Sequence, residues 1–164
     1  MVSKITMKHL NYLLLIMLSV VLFSCKEDNW LDWKAQNEMW LLQNAGSDAA
    51  IITTADSLQY KIIYGGLSSD ARPQSTSTIT CDYKLRLING YQVDASTDAV
   101  LAMSSVVKGF SEGMSKIHNH GDIILYIPWQ VGYGSEGHGT EGTQSYIPPY
   151  STLIYEVHLS SVMN

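Results

Sequence analysis

Hydrophobic and polar positions along the chain follow two periods. The first is helical. Trp30, Trp33, Asn37, Trp40, Leu41 and Asn44 recur at helical spacing, Asp28 or Asn29 can cap the start, and Gly46 ends the pattern. Trp33 and Trp40 share one face with Leu41 close by, which predicts a helix docked on a larger domain. The second period is that of strands. Leu58-Gln59-Tyr60-Lys61-Ile62-Ile63-Tyr64 is a strand stopped by Gly65-Gly66. Thr76 to Leu87 is a longer one, rich in β-branched and aromatic residues. Asn89-Gly90 then predicts a tight turn, and Tyr91 to Ser96 a returning strand. Ile123 to Ile127 and Tyr146 to Leu159 complete the β-rich set. Loops are expected over Leu67 to Pro73, Thr97 to Ser105 and Gly134 to Tyr146. His118-Asn119-His120-Gly121-Asp122 reads as a turn, and Ser47 to Ser57 as a linker.

The first residues obey neither period. Lys4 and Lys8 are basic, and Tyr12 to Phe23 is an almost unbroken apolar run. That run is shorter than the ~20 residues a membrane span needs. It predicts a signal sequence over 1–24 that is removed on export. Leu22-Phe23-Ser24-Cys25 resembles the bacterial lipobox, which implies lipidation of Cys25 and a membrane attachment through acyl chains. Lys26-Glu27-Asp28 resembles the short tag that sends some lipoproteins to the cell surface. The expected location is the cell envelope, lipid-anchored, on the periplasmic side or the outer surface of the outer membrane. The organisation that follows is a lipidated tether, helix and linker over 25–57 and one domain over 58–164.

Composition narrows the function classes. The 164 residues carry a net charge of −5 and are 46% hydrophobic, with no basic footprint for nucleic acid. Cys81 is the one cysteine besides Cys25, so no intramolecular disulfide is expected in the mature chain. It falls in a strand pattern and reads as a small buried hydrophobe. His118 and His120 form a His-x-His pair without a third ligand at a telling spacing, so a turn is preferred to a metal site. Gly132 to Gly137 matches G-x-G-x-x-G, yet the diproline Pro148-Pro149 follows where a dinucleotide site needs a helix. The glycines instead let a loop fold over a pocket.

Three blocks in order carry a family resemblance. Tyr83-Lys-Leu85-Arg-Leu87-Ile-Asn-Gly90-Tyr-Gln-Val93-Asp94-Ala95-Ser96 resembles Y-x-G-x-L-x-x-G-x-x-F-D-S-S. Val106-Val107-Lys108-Gly109-Phe110-Ser111-Glu112-Gly113-Met114 resembles V-I-x-G-W-x-E-G-L. Ile127-Pro128 with Tyr133-Gly134, and Tyr146-Ile147-Pro148-Pro149 with the strand to Leu159, resemble the last block. These are motifs of the FKBP-type peptidyl-prolyl isomerases. The resemblance implies an α+β fold: a curved antiparallel sheet of five or six strands wrapped around one short helix near 106–114, with the N-terminal helix added.

The resemblance also implies a site and a chemistry. Phe110 would floor a proline pocket, standing where the family has tryptophan. Tyr83, Val93, Val107, Ile147 and Tyr155 would be its walls, with Val106 and Tyr146 beside them. The N–H of Val107 and the hydroxyl of Tyr133 would hold substrate carbonyls, Asp94 would orient groups at the rim, and His138 would sit on the covering loop. Asp94 and Tyr133 are the candidate catalytic residues, and no cofactor or metal is implied. The expected partners are proline-containing polypeptide segments, with a homodimer through the N-terminal helix as a further expectation. Because Val93 replaces a phenylalanine and Phe110 a tryptophan, a catalytically weak module that binds proline-containing segments is the alternative.

Overall fold

A computed structural model describes residues 29–164 of the chain. The expected signal sequence, Cys25 and the Lys26-Glu27-Asp28 tag lie outside the described residues. In order come α1 (Asn29–Ser47), β1 (Ile52–Thr53), β2 (Gln59–Tyr64), β3 (Thr78–Arg86), β4 (Gln92–Ala102), α2 (Lys108–Met114), β5 (Asp122–Ile127), a 3-10 turn (Trp129–Val131) and β6 (Leu153–Met163). The six strands form one sheet in the order β1-β2-β5-β6-β3-β4, and every neighbouring pair is antiparallel. This is the α+β architecture expected from the sequence.

Strand alternation decides which face is dry. On β6, Leu153, Tyr155, Val157 and Leu159 are buried, while Ile154, Glu156 and His158 face outward. On β5, Ile123, Leu125 and Ile127 do the same. The inner face receives α2. That helix carries glycine at 109 and 113, poor residues for a helix by propensity. Packing explains them. A Cβ at Gly109 would collide with Ile127 and Val131, and one at Gly113 with Leu125. The helix therefore lies on the sheet by its backbone, and Phe110 and Met114 fill the core beside it.

Three boundaries differ from the sequence pattern. The run expected over Tyr146 to Leu159 is a strand only from Leu153, and it continues to Met163. The segment Thr97–Ser105, expected as a loop, continues β4 as far as Ala102 opposite Thr78. Asp98, with φ of 52°, sits in a bulge there, and its N–H donates to Asp82 Oδ1 at 2.8 Å. The bulge breaks the alternation, which hid the strand. The expected linker holds a two-residue strand, Ile52–Thr53, paired with Gln59 and Tyr60.

Helix α1 packs on the sheet through both apolar and polar contacts. Leu41 is buried, and Trp40 meets Tyr126 with ring centroids 5.8 Å apart. Trp33 Nε1 donates to Ser151 Oγ at 3.0 Å. Asn37 is fully buried, and its Oδ1 accepts from the Thr152 N–H at 2.7 Å. Gln59 Nε2 donates to the Leu41 carbonyl at 2.8 Å. Asn37→Ala would leave the Thr152 N–H buried and unpaired, at a cost of about 2 kcal/mol. Thermal unfolding followed by circular dichroism should show Tm lowered by roughly 5–10 °C, with the far-ultraviolet spectrum retained.

Candidate functional site

The expected floor and walls converge between α2, β3, β4 and β6. Phe110 meets Tyr155 edge to face, with centroids 4.9 Å apart. Tyr155 meets Tyr83 at 5.9 Å. Val93 is buried in the same core cluster, and Val106 and Val107 pack against it half-buried. Leu101 packs against that cluster as well, and Met103 is buried in it, both from the segment expected as a loop. The floor is tightly closed, with Phe110 2% and Tyr155 8% exposed.

Polar groups sit at the rim of this cluster. Tyr83 hydroxyl donates to Asp94 Oδ2 at 2.6 Å, and the Ala95 N–H donates to Asp94 Oδ1 at 2.8 Å. Both carboxylate oxygens are thus held, and the side chain itself is exposed. Val107 caps α2 in extended conformation, and its carbonyl accepts from the N–H groups of Phe110 and Ser111. Among the described residues no hydrogen bond engages the Val107 N–H, which remains a donor for a ligand carbonyl.

The loop after the 3-10 turn brings in the next two candidates. Tyr133 is half-buried against the core, and His138 stacks on it at 4.6 Å with the rings 16° apart. His138 and Ile147 exchange both backbone hydrogen bonds at 2.8 Å, which ties the loop across itself. Gly137, with φ of 69°, lies where any Cβ would strike the Ile147 carbonyl, so this crossing requires glycine. Ile147 is buried beneath it. Tyr146 departs from the group: its ring meets Trp30 of α1 at 6.4 Å and so faces the helix.

The environment keeps the phenols protonated. Burial first, then the Asp94 hydrogen bond, pushes the Tyr83 hydroxyl far above its ordinary value. Burial raises Tyr155 still more. Tyr133 is raised by burial and then by the negative charge of Asp94, which places that carboxylate within electrostatic reach. The three hydroxyls therefore remain hydrogen-bond donors throughout the neutral range. The arrangement offers an apolar centre, neutral donors on its border and one fixed carboxylate. It is suited to holding an apolar ring and steering nearby carbonyls.

A separate cavity of about 830 Å³ lies on the outer face of the sheet, lined in part by Asp82, Lys84, Asp122, Ile124, Glu156 and His158. Its acids are already engaged. Asp122 pairs with His158 at 2.8 Å, Glu156 with Arg86, and Asp82 with the Asp98 N–H. It is distinct from the aromatic cluster, although the Tyr83 backbone runs between them.

Sequence reasoning missed the polar pins of the loop. Ser151 Oγ accepts from Trp33 and donates to the Pro148 carbonyl at 2.7 Å, so α1 is linked to the diproline next to Ile147. A serine after a diproline gives no hint of a partner 118 residues away in the chain.

A family model described as FKBP-type peptidyl-prolyl cis-trans isomerase matches residues 69–160. The chain is 32% identical over 133 residues to the probable FKBP-type peptidyl-prolyl cis-trans isomerase FkpA of Neisseria meningitidis, covering 79% of this chain and 46% of that protein. It is 31% identical over 133 residues to the outer membrane protein MIP of Legionella longbeachae, covering 79% and 54%. The crystal structure of FkpA from Escherichia coli superposes with a TM-score of 0.75 at 25% identity, over 99% of this chain and 73% of that one. The chain spans about half the length of the curated relatives it matches. With the family model covering more than half of its residues and the fold in agreement, this chain belongs to the FKBP-type peptidyl-prolyl cis-trans isomerase family.

Proposed function

We propose that this protein is a peptidyl-prolyl cis-trans isomerase acting on exported polypeptides in the cell envelope. The observation that carries the proposal is the Phe110–Tyr155–Tyr83 aromatic cluster, bordered by Asp94, Tyr133 and the open N–H of Val107. Peptide-bond rotation faces a barrier of ~18–20 kcal/mol. Lowering it needs no nucleophile, only a site that favours the twisted amide over both planar forms. In the twisted amide the carbonyl oxygen carries less charge than in the planar one. A dry apolar centre suits that state better than water does.

The roles follow from position. Phe110 and Tyr155 receive the proline ring, with Val93 and Ile147 beside it. The Val107 N–H and the Tyr133 hydroxyl hold carbonyls of the substrate. Asp94, oriented by Tyr83, faces the amide region, and His138 rests on Tyr133 as part of the cover. Tyr146 is assigned to the helix contact and not to the pocket. The closed floor gives the runner-up its support: Phe110 is 2% exposed, so a ring enters only when neighbouring side chains move. A module that binds proline-containing segments with little turnover would look similar.

Acylation of Cys25 is proposed as the attachment to the envelope. Among the described residues no helix is long and apolar enough to cross a membrane. The outer-membrane name belongs to the Legionella relative and supports the location.

A protease-coupled assay on a proline tetrapeptide tests the activity. Wild type should accelerate exchange, and Tyr133→Phe should lower kcat/KM about tenfold with Tm unchanged, the loss of one hydrogen bond. Peptide binding without acceleration would establish the binding module instead. The pH profile should be flat from neutrality up to roughly pH 9.5, because every phenol of the cluster titrates above the ordinary tyrosine value of about 10. A raised folded pKa contributes stability fully present below that ordinary value and lost as pH rises through the folded one. The phenols should accordingly lower Tm on the alkaline side, above about pH 10. In cells, Cys25→Ser should abolish fatty-acid labelling and move the protein from the membrane to the soluble fraction.

A further inference from the structure

Helix α1 has a second apolar face that its docking does not use. Trp33, Asn37, Trp40, Leu41 and Asn44 turn toward the sheet. On the opposite side Leu31, Ala35, Met39 and Leu42 form a stripe at steps of four, four and three residues. Leu31 is 61%, Met39 54% and Leu42 72% exposed. At 1.5 Å per residue the stripe is about 16 Å long. Large apolar side chains aligned in water mark a surface that meets something.

We propose that this stripe docks on the lipid surface, laying α1 flat in the headgroup region. The inference rests on the acylation of Cys25 proposed above. Only four residue steps separate Cys25 from the first residue of α1, at most about 14 Å of chain. Such a tether keeps the start of the helix, where the stripe begins at Leu31, at the bilayer surface. A helix held there with an apolar stripe lies in the plane of the interface. The short tether keeps the local concentration of lipid high, so a few apolar side chains suffice where they would not hold a free protein. The contact is apolar in character. Glu38 at the stripe's edge is matched by Lys34 at 3.9 Å, and Asp32 flanks the other side, with no basic cluster between them. Docking is therefore independent of salt.

A second copy fits the stripe less well. Two such helices would meet along about 16 Å, short for the roughly 800 Å² per partner of a standard interface. Lipid docking also has a geometric consequence. The sheet lies on the opposite face of α1, so the aromatic site is held on the side away from the bilayer.

The test couples Cys25 of the mature chain, residues 25–164, to a maleimide lipid in phosphatidylethanolamine–phosphatidylcholine vesicles. Coupling is selective, because Cys81 is fully buried and its thiol is pushed up to about 11 by burial. Peroxide oxidation is then followed by mass spectrometry at Met39, with Met163, 58% exposed at the end of β6, as internal reference. The expected result is that coupling slows Met39 oxidation about fivefold or more relative to Met163, at low and high salt alike. The coupled double variant Leu31→Glu, Leu42→Glu should oxidise Met39 at the free rate. A Met39-to-Met163 ratio unchanged by coupling would overturn the proposal. So would protection of Met39 in the free protein that grows with concentration, which would assign the stripe to a second copy. Since the attachment is chemical, the oxidation ratio does not depend on whether the cell acylates Cys25.

Discussion

Everything in the domain leans on the contact between Phe110 of α2 and Tyr155 of β6. It exists because α2 has no side chains at 109 and 113 and can lie with its backbone against Leu125 and Ile127. Two interior glycines weaken a helix by about 1 kcal/mol each relative to alanine, and seven residues are too few to be helical alone. Packing supplies the difference. The same residues that hold α2 on the sheet also form the floor of the candidate site. Site shape and global stability are consequently one property here: a change at Phe110 alters both.

Helix α1 is fixed by a different kind of contact. Apolar burial of Leu41 and the Trp40–Tyr126 pair would allow the helix to roll. Asn37 on the Thr152 N–H, Gln59 on the Leu41 carbonyl and Trp33 on Ser151 would not, since each bond is directional and two of them are buried. That rotational setting decides which residues face outward. The exposed line of Leu31, Ala35, Met39 and Leu42 is thus a consequence of the polar pins on the other face.

Much of the fold was legible because its strands alternate. β2, β5 and β3 lie within a few residues of their patterns, and the helical run from Trp30 ends where Gly46 suggests. The grouping of the candidate residues was legible through family motifs: Tyr83 and Phe110 both meet Tyr155, and His138 stacks on Tyr133. What could not be read depends on register between distant segments. The bulge at Asp98 conceals the end of β4, because one extra residue inverts the alternation. Tyr146 leaves the pocket for a related reason. The long loop before it removes any fixed spacing from Tyr133, and Trp30, its actual neighbour, is more than a hundred residues earlier.

The distribution of charge in the site bears on how it could work. Its centre is aromatic and dry, and its one carboxylate is held at the edge by Tyr83 and the Ala95 N–H. A buried charge beside the ring would stabilise the planar, polarised amide, which is the wrong state to favour. Asp94 at the border avoids that while still orienting its surroundings. The phenols contribute donors without contributing charge, because burial keeps them neutral. For the isomerase proposed above, rotation would then depend on how completely water is excluded around the proline ring.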